Sequence, residues 1–132
     1  MADHRERAHR AMRQLWEKGN EYFEAHENEI TSPYGAVETP GGLEISKVGD
    51  SLRIRGEFVK YIGGGICDVA IEIDFLPDMR DLPEVREDWH NEEEAAGSST
   101  PAVRDFPKIV EEFLPLFNDF EGQQPTPRSI AG

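Results

Sequence analysis

Apolar side chains recur at every second position through the middle of this chain, a period that suits a strand and not a helix. Leu43 and Ile45, then Leu52, Ile54 and Phe58, then Val69, Ile71, Ile73 and Phe75 alternate with polar partners. Successive side chains of a strand point to opposite faces, so each run buries one face and wets the other. Pro40-Gly41-Gly42, Gly49-Asp50 and Gly63-Gly64-Gly65 separate the runs and read as turns. The pattern predicts an antiparallel β-meander of three strands, with Val37 marking a weaker fourth over 34–39, at an edge.

Face matching then sets the register, because a slip of one residue turns the apolar set outward. A two-residue Gly49-Asp50 turn places Ile45 beside Ile54, and glycine in the first position suits a type II′ hairpin. For the next hairpin a four-residue loop over 63–66 is expected. It sets Phe58 opposite Ile71 and Ile54 opposite Phe75, and it points Cys67 into the core. On the other face the same register sets Tyr61 opposite Asp68, Glu57 opposite Glu72 and Arg55 opposite Asp74.

Helical periods flank the meander. Ala8, Met12, Leu15, Trp16, Gly19, Tyr22, Phe23 and His26 form one stripe at spacings of three and four, predicting a helix over 3–29. Asp3 is its expected N-cap, and Pro33 disfavours helix at the residue before it. Phe106, Ile109, Val110, Phe113, Leu114 and Phe117 form a second stripe over 102–118. Thr100 and Pro101 suit its start, although a start at Asp105 puts Pro107 in the first turn instead; Pro115 should end or kink it near Leu114. The expected architecture is α+β: a long N-terminal helix, a three- to four-stranded meander and a C-terminal helix packed on the sheet. One domain over 1–120 and an unstructured tail over 121–132 complete it. The segment 77–101 is expected to be an acidic loop or a short polar helix over 84–96.

Charge bears on function. The chain has 132 residues, 14 Lys plus Arg and 27 Asp plus Glu, for a net charge of −13. Such a field repels nucleic-acid backbones and anionic lipid surfaces and attracts cationic partners. The density is highest between Asp78 and Glu94, where eight acids accompany Arg80 and Arg86. Glu84, Glu87, Asp88, Trp89, Glu92, Glu93 and Glu94 are therefore the candidate binding residues. One cysteine excludes an internal disulfide, and no apolar run approaches the ~20 residues of a membrane span. The N-terminus lacks the apolar stretch of a secretory signal, so a cytoplasmic location is expected.

No motif for catalysis or metal binding emerges. The four histidines show no i, i+4 pair and no HExxH, and no metal or cofactor is expected. The Gly63 triplet lacks the lysine and hydroxyl of a phosphate loop. The weak catalytic candidates are Glu57 and Glu72, which as opposed carboxylates would repel and shift, with Tyr61 and Asp68 beside them. Phe113, Leu116, Phe117 and Phe120 are surplus grease on the last helix and candidate interface residues. Basic residues at Arg5, Arg7, Arg10, Arg13 and Lys18 followed by acids at Glu21, Glu24, Glu27 and Glu29 would suit antiparallel pairing with a second copy.

A long helix followed by a β-meander resembles the cystatin-like and NTF2-like topologies, a likeness of fold that transfers no function. The leading expectation is a small acidic protein-interaction protein, either a homodimer or an immunity-type inhibitor of a basic partner. The alternative is an α+β roll that binds or transforms a small molecule on the polar face of the meander.

Overall fold

The structure, a computed structural model, describes residues 3–30, 35–62, 64–89 and 97–118. Glu92, Glu93, Glu94, Phe120 and the expected tail lie outside the described residues. Helix α1 runs from His4 to His26 and tightens into a 3-10 turn, Glu27–Glu29. The backbone N–H of Glu6 donates to Asp3 Oδ1 at 2.7 Å, so Asp3 caps α1 as its sequence position implies. The strands follow as β1 (Val37–Glu38), β2 (Glu44–Val48), β3 (Ser51–Ile62), β4 (Gly65–Phe75), β5 (Glu84–Trp89) and β6 (Gly97–Ser99). They form one antiparallel sheet in sequential order. Helix α2 (Phe106–Phe113) closes the fold, between 3-10 turns at Val103–Asp105 and Leu114–Phe117.

The α+β architecture is the expected one, but among the described residues the sheet has six strands rather than three or four. Within 77–101 the described residues contribute β5 and β6 where a loop or a polar helix over 84–96 was expected, and 90–96 lie outside the described residues. Val85 and Trp89 supply its inward side chains, and the pairing Val69↔Trp89 and Ile73↔Val85 extends the dry face of β4 onto β5. Glu87 also occupies an inward position, half-buried, with Trp89 Nε1 donating to its carboxylate at 3.3 Å. A carboxylate between two apolar residues breaks the alternation that marks a strand in sequence.

The β2–β3 hairpin has the expected register, Ile45↔Ile54, and Gly49 has φ +65°, as the first position of a II′ turn requires. The β3–β4 hairpin differs. Its turn has two residues, Ile62 pairs with Gly65, and Phe58 faces Val69 while Ile54 faces Ile73. A shift of two keeps every side chain on its face, so face matching alone does not separate the two registers. Cross-strand chemistry does. The shorter turn brings Arg53 opposite Asp74 and Arg55 opposite Glu72, and it moves Glu57 away from Glu72 to stand opposite Ala70.

Both helices lie on one face of the sheet. Ala8, Met12, Leu15 and Phe23 of α1, and Phe106, Ile109, Val110 and Phe113 of α2, bury against Leu52, Ile54, Ile71, Ile73 and Phe75. Gly19 belongs to the contact: a Cβ there would come within 2.7 Å of Ile54 and 2.9 Å of Leu52, so its absence lets α1 approach. Thr100 does not cap α2, which starts at Phe106 after Asp105 with Pro107 in its first turn. The α-helix ends at Phe113, and Pro115 sits in the 3-10 turn that follows.

Two long-range polar contacts tie the helical layer to the loops. His9 Nε2 lies 2.8 Å from the carbonyl of Met79 and must donate, since a carbonyl only accepts. Met79 is wholly buried and left-handed, with φ +52°, a conformation costing a non-glycine residue about 1–2 kcal/mol. At the other end the Leu116 carbonyl accepts from the Thr39 hydroxyl at 2.6 Å and from the Gly41 N–H at 3.1 Å. The Thr39 oxygen in turn accepts from the Leu43 N–H at 3.0 Å. A Cβ on Gly41 would stand 2.5 Å from that same carbonyl, and no side-chain adjustment relieves a clash with backbone. Gly41→Ala is expected to cost about 2–3 kcal/mol in urea unfolding, and Thr39→Val about 1–3 kcal/mol. Because both act on one carbonyl, the double variant should lose measurably less than the sum of the singles.

Candidate functional site

The face of the sheet opposite the helices carries the polar alternates. By register it displays Arg53, Arg55 and Arg86 among eight carboxylates: Glu38, Glu44, Glu57, Asp68, Glu72, Asp74, Glu84 and Asp88. The acids of β5 are thus split by the pleat. Glu84 and Asp88 reach this outer face, while Glu87 and Trp89 turn inward.

At the centre of the face two arginines bracket two acids across three strands. Arg53 reaches Asp74 with Nε at 2.7 Å and a second guanidinium nitrogen at 3.2 Å. Arg86 donates to Asp74 at 2.8 Å, forms a short bond to Glu72, and lies 3.3 Å from Glu84. Arg55 sits 3.2 Å from Glu57. Partial burial pushes the Asp74 carboxyl upward, but hydrogen bonds from Arg53 and Arg86 outweigh it and hold the group below its ordinary range. The Arg86 guanidinium is pushed up chiefly by its hydrogen bond to Glu72, then by the one to Asp74.

This geometry separates the weak catalytic candidates. Glu72 is held by Arg86 and faces Arg55, so no carboxylate pair forms with Glu57. Glu57 is 69% exposed and Tyr61 79% exposed, and Asp68 faces Val59 rather than Tyr61. Glu57 and Asp68 are thus both exposed on the outer face. Among the described residues no group of three or more histidine, cysteine or acidic side chains is placed to hold a metal ion. Cys67 is buried on the inner face, where the alternation places it.

Of the interface candidates on the last helix, Phe113 and Phe117 are 0% and 3% exposed and belong to the core. Phe113 packs on Phe58 with ring centroids 5.1 Å apart, and Phe117 meets Tyr22 edge-on at 5.8 Å. Leu116 is half-buried against the same core.

Exposed grease lies elsewhere. Val48, Val59, Tyr61 and Ile66 all stand on the outer face by register, and Leu76 follows its end at β4. Val59, Tyr61 and Ile66 cluster where the β3–β4 hairpin runs on beyond its pairing with β2 and β5, with Tyr61 directly opposite Ile66. Tyr61 lies on the polar face as its alternation implies, whereas Ile66, expected within the turn, pairs with it there, so this face is not merely a wet one.

The Asp74 shift has a definite sign. A carboxyl held below its unfolded value near 3.9 contributes stability that is complete above that value and is lost as pH falls through the folded one. Asp74→Asn should flatten this part of the acid-unfolding curve. At neutral pH it should cost about 1–2 kcal/mol by urea titration, a figure reduced because the site is partly solvated. Compared with known proteins, the chain matches no family model, no curated protein and no solved structure.

Proposed function

We propose that this chain is a small acidic protein-interaction protein whose outer sheet face receives a basic partner protein. One observation carries the reading: among the described residues, exposed large apolar side chains gather on this face, amid an excess of carboxylates. Apolar side chains clustered on an exposed surface are costly to leave in water and favour being covered. The net charge of −13 gives a cationic protein a fast approach, and Val59, Tyr61 and Ile66 give it a contact that outlasts the encounter. An immunity-type inhibitor of a basic toxin fits this description, and so does an acidic escort of a basic protein. A cytoplasmic setting belongs to the same proposal. It draws on the single cysteine and on the finding that no helix among the described residues is long and apolar enough to cross a membrane.

The test is binding to a panel of cationic proteins at low and at molar salt. Affinity should fall steeply with salt. Tyr61→Ser combined with Ile66→Ser should weaken it about tenfold or more while leaving the urea midpoint nearly unchanged, since both residues are exposed. Salt-insensitive binding, or none across the panel, rejects the reading. A stable dimer in sedimentation that the same double variant dissolves would make a second copy the partner.

A further inference from the structure

The outer face ends at an edge with its own geometry. Ile62↔Gly65 and Val48↔Ser51 close two-residue turns, so each of these pairs exchanges both backbone hydrogen bonds. Alternation carries the pattern along β3. Its even-numbered residues turn their N–H and C=O groups toward β4, and its odd-numbered ones toward β2. The β2 ladder stops at Glu44↔Arg55. Beyond it Glu57, Val59 and Tyr61 present their backbone groups outward, and among the described residues no strand pairs with them.

The neighbouring chain is turned away from this slot rather than ending short of it. Gly42 has φ +97° at the bend before β2, the Gly41 N–H is bound to the Leu116 carbonyl, and the Leu43 side chain lies over Gly56. What remains beside the edge is an open groove of about 460 Å³, lined by Gly41, Phe58, Lys60, Glu111, Glu112 and Leu116. Lys60 is already engaged with Glu112, at 3.1 Å, which leaves Glu111 as an exposed acid at the rim, with Glu57 and its Arg55 partner beside it.

We infer that the edge from Glu57 to Tyr61 accepts an extended basic segment of a partner protein as an added strand. Main-chain pairing to the three odd residues provides the affinity, and alternate side chains provide the selectivity. Side chains turned inward enter the groove toward Phe58 and Glu111, where lysine or arginine with its apolar stem fits both. Those turned outward extend the Val59 and Tyr61 patch. Five residues of strand, about 17 Å, fill the slot. Charge selects this occupant over a second copy of the chain, which would bring the same carboxylates to the same groove.

The inference rests on the basic-partner reading but fails separately from it. A peptide of alternating lysine and valine is the probe, with affinity measured by fluorescence anisotropy and amide exchange by NMR on the full chain. Bound peptide should slow exchange at the Glu57, Val59 and Tyr61 amides about tenfold or more, and leave the even-numbered amides, already paired to β4, little changed. Val59→Pro removes one outward N–H while sparing the β3–β4 ladder, and should weaken the peptide about tenfold. Val59→Thr keeps the N–H and should stay within about threefold. If the proline variant unfolds, the exchange pattern of the wild-type complex still decides. Peptide binding without protection at the odd amides overturns the strand-addition proposal and leaves the outer-face reading standing. No peptide binding at low salt also overturns it, whether or not cationic proteins bind. Protection of those amides in the free chain would mean that the chain or a second copy covers the edge, distinguished by sedimentation mass, and overturns it too.

Discussion

The pairing of β3 with β4 is the contact on which the other elements depend. It runs unbroken from Leu52↔Phe75 to Ile62↔Gly65, longer than any other ladder in the sheet. Because a strand's side chains alternate, that single register decides what is dry and what is wet on both sides at once. It aligns Ile54 with Ile73 beneath α1, sets Phe58 beneath Phe113 of α2, and collects Arg53, Asp74, Glu72 and Arg86 on the far side. It also carries the hairpin past its pairing with β2 and β5, which leaves an edge that no strand covers among the described residues.

The two faces use different physics. The helical side excludes water, and its stability scales with the apolar area removed from solvent. The other side is held by half-exposed ion pairs, each of which contributes little to net stability. Their value is directional. A shift of two residues would leave every apolar residue on the inner face but would set Glu57 against Glu72 and take Arg53 from Asp74. The polar network thus discriminates between registers that the core alone accepts.

Much of this was legible in the residues. The 3.6-residue stripe of α1, its Asp3 cap, the Gly49-Asp50 turn and the inward aim of Cys67 each follow from a local rule that the tertiary structure does not override. Two features resisted. The β3–β4 turn length is invisible to face matching, since registers two apart have identical faces. Strand β5 hides because Glu87 occupies an inward position and only Val85 and Trp89 carry the apolar signal. Arg86 was the available clue, the one cation within 84–89, whose partners, Glu72 and Asp74, lie on the neighbouring strand. The candidate site was half legible. Tyr61 stood out by its position, but as an acid–base partner. Exposure of 79% takes it away from that role, and the proposal makes it a contact residue instead.

The clasp of Thr39 and Gly41 on the Leu116 carbonyl joins residues more than half the chain apart. Closing so long a loop is entropically costly and is repaid only once both ends are in place. A ribosome making this chain releases α1 and the whole meander before Phe106, Ile109, Val110 and Phe113 emerge to cover the sheet. For that interval the apolar face of β3 and β4 is partly bare, as the side that α2 will cover waits for residues 106–113. The same carbonyl works as a late latch. Until it engages, the Gly41 N–H and the Thr39 hydroxyl lack the partner they have in the folded chain. The geometry beside Val59 thus depends on a carbonyl that a segment 77 residues further along the chain than Thr39 must supply.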